Sequence, residues 1–164
     1  MRPHPLVLFD TNVLLDLYGT PRPGREQAIA LAEAADAAGA LCATSCLSLK
    51  DFYYICTSCL KREAKGATGS LRDEEALAIR YQVGKVLDMM LDLVTPADVC
   101  GADVTMARKL HNLIPDFEDG LLVASAMRMK ADLLVTSDQQ LISRSPVATM
   151  APKDATNLLL SLAP

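Results

Sequence analysis

Two short apolar runs in this 164-residue chain each lead to an aspartate: Leu6-Val7-Leu8-Phe9-Asp10 and Leu133-Leu134-Val135-Thr136-Ser137-Asp138. A short, bounded apolar run reads as a buried strand of a parallel sheet. In open α/β sheets the ligand crevice lies beyond the carboxyl ends of the strands. Two such strands therefore bring two carboxylates, far apart in the chain, to the mouth of one crevice. Further acids stand in suggestive places. Asp51 lies on an otherwise apolar helical stretch, Leu49-Lys50-Asp51-Phe52-Tyr53-Tyr54, and Asp116-Phe117-Glu118-Asp119 opens the segment Gly120 to Ala126. Asp116 and Asp119 are three apart and share a helical face, whereas Glu118 is expected to point to solvent.

Carboxylates gathered in one place repel each other, and burial adds a desolvation cost that favours protonation. A divalent cation relieves both. Mg²⁺ and Mn²⁺ take oxygen ligands, acidify a bound water and stabilise a phosphoryl transition state. Neither His nor Cys accompanies the acids, so zinc fits poorly. Taken singly, each acid has a plainer role as a helix cap, a turn residue or an exposed charge.

The elements that would position these acids alternate between strand and helix, which predicts an α/β fold. Strands are expected at 6–9, 41–43, 91–94, 133–136 and within 146–150. Helices are expected at 12–18, 25–38 with Gly39 as its stop, from a Thr44 or Ser45 cap to about 61, 72–90, 102–111, 116–130 with Asp116 as cap, and 152–162. Residues 61–71 are polar, basic and glycine-bearing, and read as a mobile loop. The whole, residues 1–164, is expected to form one domain.

Half the residues are apolar (51%), Trp is absent, and the formal net charge is −4. That balance excludes a generally basic nucleic-acid coat but leaves room for a local patch. No apolar stretch reaches the length of a membrane span. The start, Met1 to Pro5, runs directly into a strand with no export leader, so a cytoplasmic location is expected. The odd count of five cysteines favours free thiols. Cys56 and Cys59 form a C-x-x-C pair, but in an apolar helical stretch without a second pair they read as buried or semi-buried thiols. Met89, Met90, Met127 and Met129 read as core filler.

The order and local sequence of the acidic segments resemble the PIN-domain family of metal-dependent ribonucleases, many of whose bacterial members are toxins of toxin–antitoxin pairs. Asp10-Thr11-Asn12 after a strand is similar to that family's first motif. Asp51-Phe52-Tyr53-Tyr54 is similar to its second, where the family usually has Glu. Asp119 opening a small-residue helix is similar to the third, and Leu134-Val135-Thr136-Ser137-Asp138 to the fourth. The resemblance spans nearly the whole chain. It implies a three-layer α/β/α fold with a central parallel sheet, and hydrolysis of RNA by a Mg²⁺- or Mn²⁺-activated water. It also implies Asp10, Asp51, Asp119 and Asp138 as catalytic acids, with Asp10, Asp116, Asp119 and Asp138 at the metal and Asn12 and Thr136 in support. A small antitoxin partner and a homodimer follow from the same resemblance.

Lys61, Arg62 and Lys65 are the best basic cluster for RNA, with solvated surface as the plain alternative. Arg128 and Lys130 are read as dipole compensation at a helix C-terminus; Tyr53 and Tyr54 could stack on a base, but on an apolar helix at least one of them is expected in the core. Three other readings stand beside the ribonuclease. The first is a haloacid-dehalogenase-like phosphatase with Asp10 as nucleophile, although Asn12 replaces the usual second acid. The others are a non-catalytic RNA-binding module of the same fold and a DNA nuclease.

Overall fold

The computed structural model describes residues 4–163, the Thr68 side chain excepted. The leader-free start expected at Met1, Arg2 and Pro3 lies outside them. Among the described residues, five strands, β1 (Leu6–Phe9), β2 (Leu41–Ser45), β3 (Thr95–Ala97), β4 (Leu133–Val135) and β5 (Thr149–Met150), form one parallel sheet in the order β3-β2-β1-β4-β5. Eight helices connect and cover them: α1 (Thr11–Tyr18), α2 (Arg25–Ala37), α3 (Cys46–Thr68), α4 (Asp73–Leu91), α5 (Gly101–Leu110), α6 (Phe117–Met129), α7 (Gln139–Arg144) and α8 (Pro152–Leu160).

The layers follow from the two-residue alternation of side chains along each strand. Val7, Phe9, Leu133 and Val135 face one side, where they pack with Leu14, Leu31, Phe52, Val83 and Leu159 from α1, α2, α3, α4 and α8. Leu8, Ala43 and Leu134 face the other, against Val123, Ala126 and Leu141 of α6 and α7 and Leu110 of α5. Both faces are covered, which is why the strands are continuously apolar rather than alternating. This is the three-layer α/β/α arrangement expected from the sequence.

The sheet order fixes where a site forms. From β1 the chain builds outward through β2 to β3, then crosses back to place β4 on the opposite side of β1. The connections after β1 and β4 thus diverge and leave a crevice at their carboxyl ends, the topological switch point. The register pairs Phe9 with Val135, so Asp10 and Thr136 stand side by side at its rim.

Three sequence expectations are corrected. Residues 61–71 are not a loop as far as Thr68. Lys61 to Lys65 are good helix formers, and α3 stops only at Gly69, whose left-handed φ of 78° a glycine adopts without strain. The third strand is not 91–94 but Thr95–Ala97. The amides of Asp92, Leu93 and Val94 still turn back to Met89 and Met90 of α4, and Pro96 is tolerated because β3 is an edge strand. Finally, α7 gives no sequence signal, because its six residues are too few to show a helical period. Met90 is fully buried, but Met89 and Met127 are exposed and fill no core.

Candidate functional site

Asp10 leaves β1 in extended conformation and caps α1. Its amide bonds to Val135 O at 3.0 Å, locking it to the end of β4. Its carboxylate is fully engaged: Oδ1 accepts from the Thr11 amide, while Oδ2 accepts from Thr136 Oγ1 (2.7 Å) and Asn12 Nδ2 (2.6 Å). The Asn12 amide group also donates to Thr136 Oγ1 at 2.8 Å, and its oxygen accepts from the Ser137 amide at 2.9 Å. Both ends of Asn12 are thus spent on clamping the β4 loop to Asp10. That use suits a positioning residue and not the proton-donating acid a phosphatase would need there. Thr136, fully buried, additionally accepts from the Asp138 amide at 3.0 Å.

Asp138 and Asp116 are helix caps, the plainer of the roles open to them. Asp138 accepts from Gln140 and Leu141 amides at the start of α7, and Asp116 from those of Glu118 and Asp119 at the start of α6. Capping and proximity coexist. Burial pushes the Asp119 carboxyl up to about 6, and the charges of Asp116, Asp10, Asp138 and Glu118 push the same way. Asp10 is also raised, chiefly by burial and further by Asp138, against the lowering effect of its hydrogen bonds from Thr136, Thr11 and Asn12. Acids from β1, α6 and α7 thus share one electrostatic neighbourhood.

A cleft of about 460 Å³ opens over Asp10 and Asp119, lined also by Asn12, Asp51, Tyr54 and Glu118, with Ser45 and Ser48 beside them; Asp116 and Asp138 do not line it. Asp51 sits on its α3 wall, in an ion pair with Lys50 at 2.6 Å. Tyr54 lines the cleft and is 70% exposed, whereas Tyr53 packs against the core. Glu118 is exposed, as helical spacing implies, and it also lines the cleft. The N-terminal end of α6 points into the cleft, so both sides of its first turn line it.

The basic cluster lies elsewhere. Lys61, Arg62 and Lys65 follow Asp51 on the same helix by ten to fourteen positions, about 15–21 Å along its axis, and none lines the cleft. Arg128 is not merely compensating a dipole. It ties α6 to α5 through Asp103, at 2.9 Å, and to Asp98. The five cysteines are free; Cys42 and Cys56 are buried and held protonated, each raised to about 11 mainly by desolvation.

The donor set fits a hard cation in chemistry and charge: oxygen ligands only, with Asp10 and Asp119 both raised by burial and by neighbouring negative charge. Among the described residues, no three His, Cys, Asp or Glu side chains are gathered closely enough to hold a metal ion outright. The sign of the linkage makes the fit to a cation testable. The unfolded chain releases the Asp119 proton near 3.8 and the folded chain near 6. Metal-free stability is therefore greatest below that window and falls as pH rises through it, by about 1–2 kcal/mol once solvent screening is allowed for. Differential scanning fluorimetry should show Mn²⁺ raising Tm at pH 7.5 and leaving it unchanged at pH 4; equal gains at both would refute the electrostatic account.

The PIN domain family model matches residues 6–140. No curated protein matches the chain in sequence comparison. Among solved structures, it is similar to a chain of the VapBC2 complex from Rickettsia felis bound to a promoter DNA fragment, at 16% identity and TM-score 0.59, over 89% of this chain and 98% of that one. A toxin–antitoxin complex from Klebsiella pneumoniae contains a chain 18% identical, at TM-score 0.61 over 89% and 97%. PAE2754 from Pyrobaculum aerophilum is 16% identical, at TM-score 0.59 over 98% and 94%. At these identities the likeness is one of fold. Among the described residues no helix is long and apolar enough to cross a membrane.

Proposed function

Because the chain belongs to the PIN-domain family, we propose that it is a Mg²⁺- or Mn²⁺-dependent endoribonuclease, the toxin of a toxin–antitoxin pair. The observation that carries this reading is the meeting of Asp10, clamped by Asn12 and Thr136, and Asp119 on one cleft at the switch point of the sheet, with Asp116 and Asp138 near enough to act on Asp119. These four would hold the ion, directly or through its waters. When bound, it supplies an acidified water and positive charge for the phosphodiester.

The chain's own residues do the rest. Thr136 and Asn12 fix Oδ2 of Asp10, so that carboxylate is preorganised rather than free to rotate. Asp51, on the opposite wall and held by Lys50, is placed to orient a water across the cleft. Tyr54 offers an exposed ring on which a base can stack. In the reaction, water adds to phosphorus and one ester P–O bond breaks, the departing oxygen taking a proton. A small antitoxin and a second copy of the chain are the proposed partners. Support for the antitoxin comes from the fold shared with the Rickettsia and Klebsiella toxin–antitoxin complexes.

End-labelled single-stranded RNA and DNA of the same sequence, incubated with the purified protein, provide the test. Cleavage of RNA with Mn²⁺, abolished by chelator, is the expected result. Preferential cleavage of DNA, or RNA cleavage that persists in chelator, would overturn the assignment.

A further inference from the structure

The catalytic cleft has a substrate problem that its own lining does not solve. Its charged lining residues are Asp10, Asp51, Glu118 and Asp119, all acidic. A bound ion offsets part of that charge, but a polyanion also needs cationic contacts along its backbone. The cluster at Lys61, Arg62 and Lys65 lies too far along α3 to hold the nucleotides next to the scissile bond.

A second cleft, about 380 Å³, adjoins the first across the start of α6. Asp119 lines both. The second has a different character. Ile114, Pro115 and Leu141 give it an apolar lining and Gln140 adds an amide; beside the carboxylates of Asp116 and Asp119, Arg144 is the only cation lining either cleft among the described residues. Both Gln140 and Arg144 stand on α7, the helix whose N-terminus Asp138 caps. Arg144 follows that cap by six positions, about 9 Å along the helix. Its guanidinium is exposed and forms no ion pair among the described residues. Its plain role, compensating the C-terminal dipole of α7, does not explain why it lines a cleft that meets the acid cluster.

We propose that this second cleft is a subsite for the RNA backbone flanking the scissile bond. Arg144 grips a non-bridging phosphate, and Gln140 contacts the adjoining sugar or base over the apolar lining. The fork of the guanidinium matches phosphate oxygens in a way a lysine does not. The RNA then runs from Tyr54 in the first cleft, past Asp119, to Arg144 in the second. Arg144 is a positioning residue: it touches the substrate away from the reacting atoms and acts on binding rather than on the chemical step.

The proposal rests on the ribonuclease reading, and the experiment separates the two. Binding of a short fluorescein-labelled single-stranded RNA is measured by anisotropy over a range of salt, in an Asp10→Asn background with and without Arg144→Ala. Steady-state cleavage is measured with Asp10 intact for wild type, Arg144→Ala and Arg144→Lys. Loss of one phosphate contact reduces the magnitude of the slope of log K against log salt by about 0.7. The expected result is that reduction, a KM raised about tenfold with kcat unchanged, and partial recovery in Arg144→Lys. If wild type cuts RNA and Arg144→Ala keeps the wild-type slope and KM, the subsite is wrong and the nuclease reading stands. If wild type does not cut but the Asp10→Asn protein binds RNA with an Arg144-dependent slope, Arg144 still contacts the RNA backbone and the nuclease reading fails. Absence of RNA binding in every variant overturns both.

Discussion

Asp10→Asn reduces metal-dependent RNA cleavage by at least about a hundredfold while the protein remains folded. The substitution keeps the shape of the side chain and removes its charge, together with one of its two acceptor oxygens. Two effects follow, and they oppose each other in stability. Asn presents an NH₂ group to either the Thr11 amide or the Thr136 and Asn12 donors, so at least one buried hydrogen bond is lost, at about 1–3 kcal/mol. Removal of the charge also relieves Asp119 of one of the neighbours that raise it, which returns part of that loss. Activity has no such compensation, because on the proposed function the ion would lose a ligand and the supporting geometry together, and disturbing the supporting geometry alone commonly costs about ten- to a hundredfold. Circular dichroism and thermal unfolding would establish the fold, and labelled-RNA cleavage the activity. A folded Asp10→Asn protein that cuts at the wild-type rate would sink the site assignment.

Arg128→Ala destabilises the protein by about 3 kcal/mol. Asp103 is 1% exposed and has its carboxylate against the Arg128 guanidinium at 2.9 and 3.2 Å, with the Cys100 amide donating at 2.9 Å. Burial pushes its pKa up, but the Arg128 and Cys100 bonds outweigh that and hold it below the ordinary value. Truncating Arg128 leaves a buried carboxylate with only the Cys100 amide, the situation in which breaking a buried pair typically costs about 3–5 kcal/mol. The lower end applies here because Arg128 itself is 32% exposed. The same guanidinium donates to the Asp98 carbonyl at 2.7 Å, so the segment after β3, α5 and α6 loosen together. Urea unfolding midpoints would measure the loss. The double variant Asp103→Ala/Arg128→Ala should be no less stable than Arg128→Ala alone, since it removes the stranded charge. A single-variant loss below about 1 kcal/mol would refute this account.

Much of the acid cluster is legible in the sequence alone, and the reason is local. Asp10, Asp116 and Asp138 each follow an apolar run or precede a helix, and capping places such residues where strands end. Their convergence is legible because parallel strands put their carboxyl ends on one edge. Orientation is less so. Helical spacing leaves Glu118 exposed, as it is, but does not reveal that the first turn of α6 borders a cleft that Glu118 also lines. The basic stretch at 61–65 reads as a loop because glycine at 66 and 69 outweighs the helix formers before it. Only the left-handed turn at Gly69 ends α3. Arg144 carries no mark in the sequence, because α7 is too short to announce itself and the second cleft exists only once α6 and α7 are packed.

The sheet order also dates the site in the life of the chain. β1 is the central strand, yet its neighbour on the side of Thr136, β4, is only the fourth of the sheet's five strands in chain order. A nascent chain that ends before α6 already carries Asp10 and Asp51 but has neither Asp119 nor Thr136 to complete the cluster. Such a polypeptide on the ribosome can pair β1 with β2 while its opposite edge stands open, and Asp10 then lacks the hydroxyl that fixes it. Since domains fold as units during synthesis, latency is written into the strand order: no acid cluster can assemble until α6 and β4 have both been made.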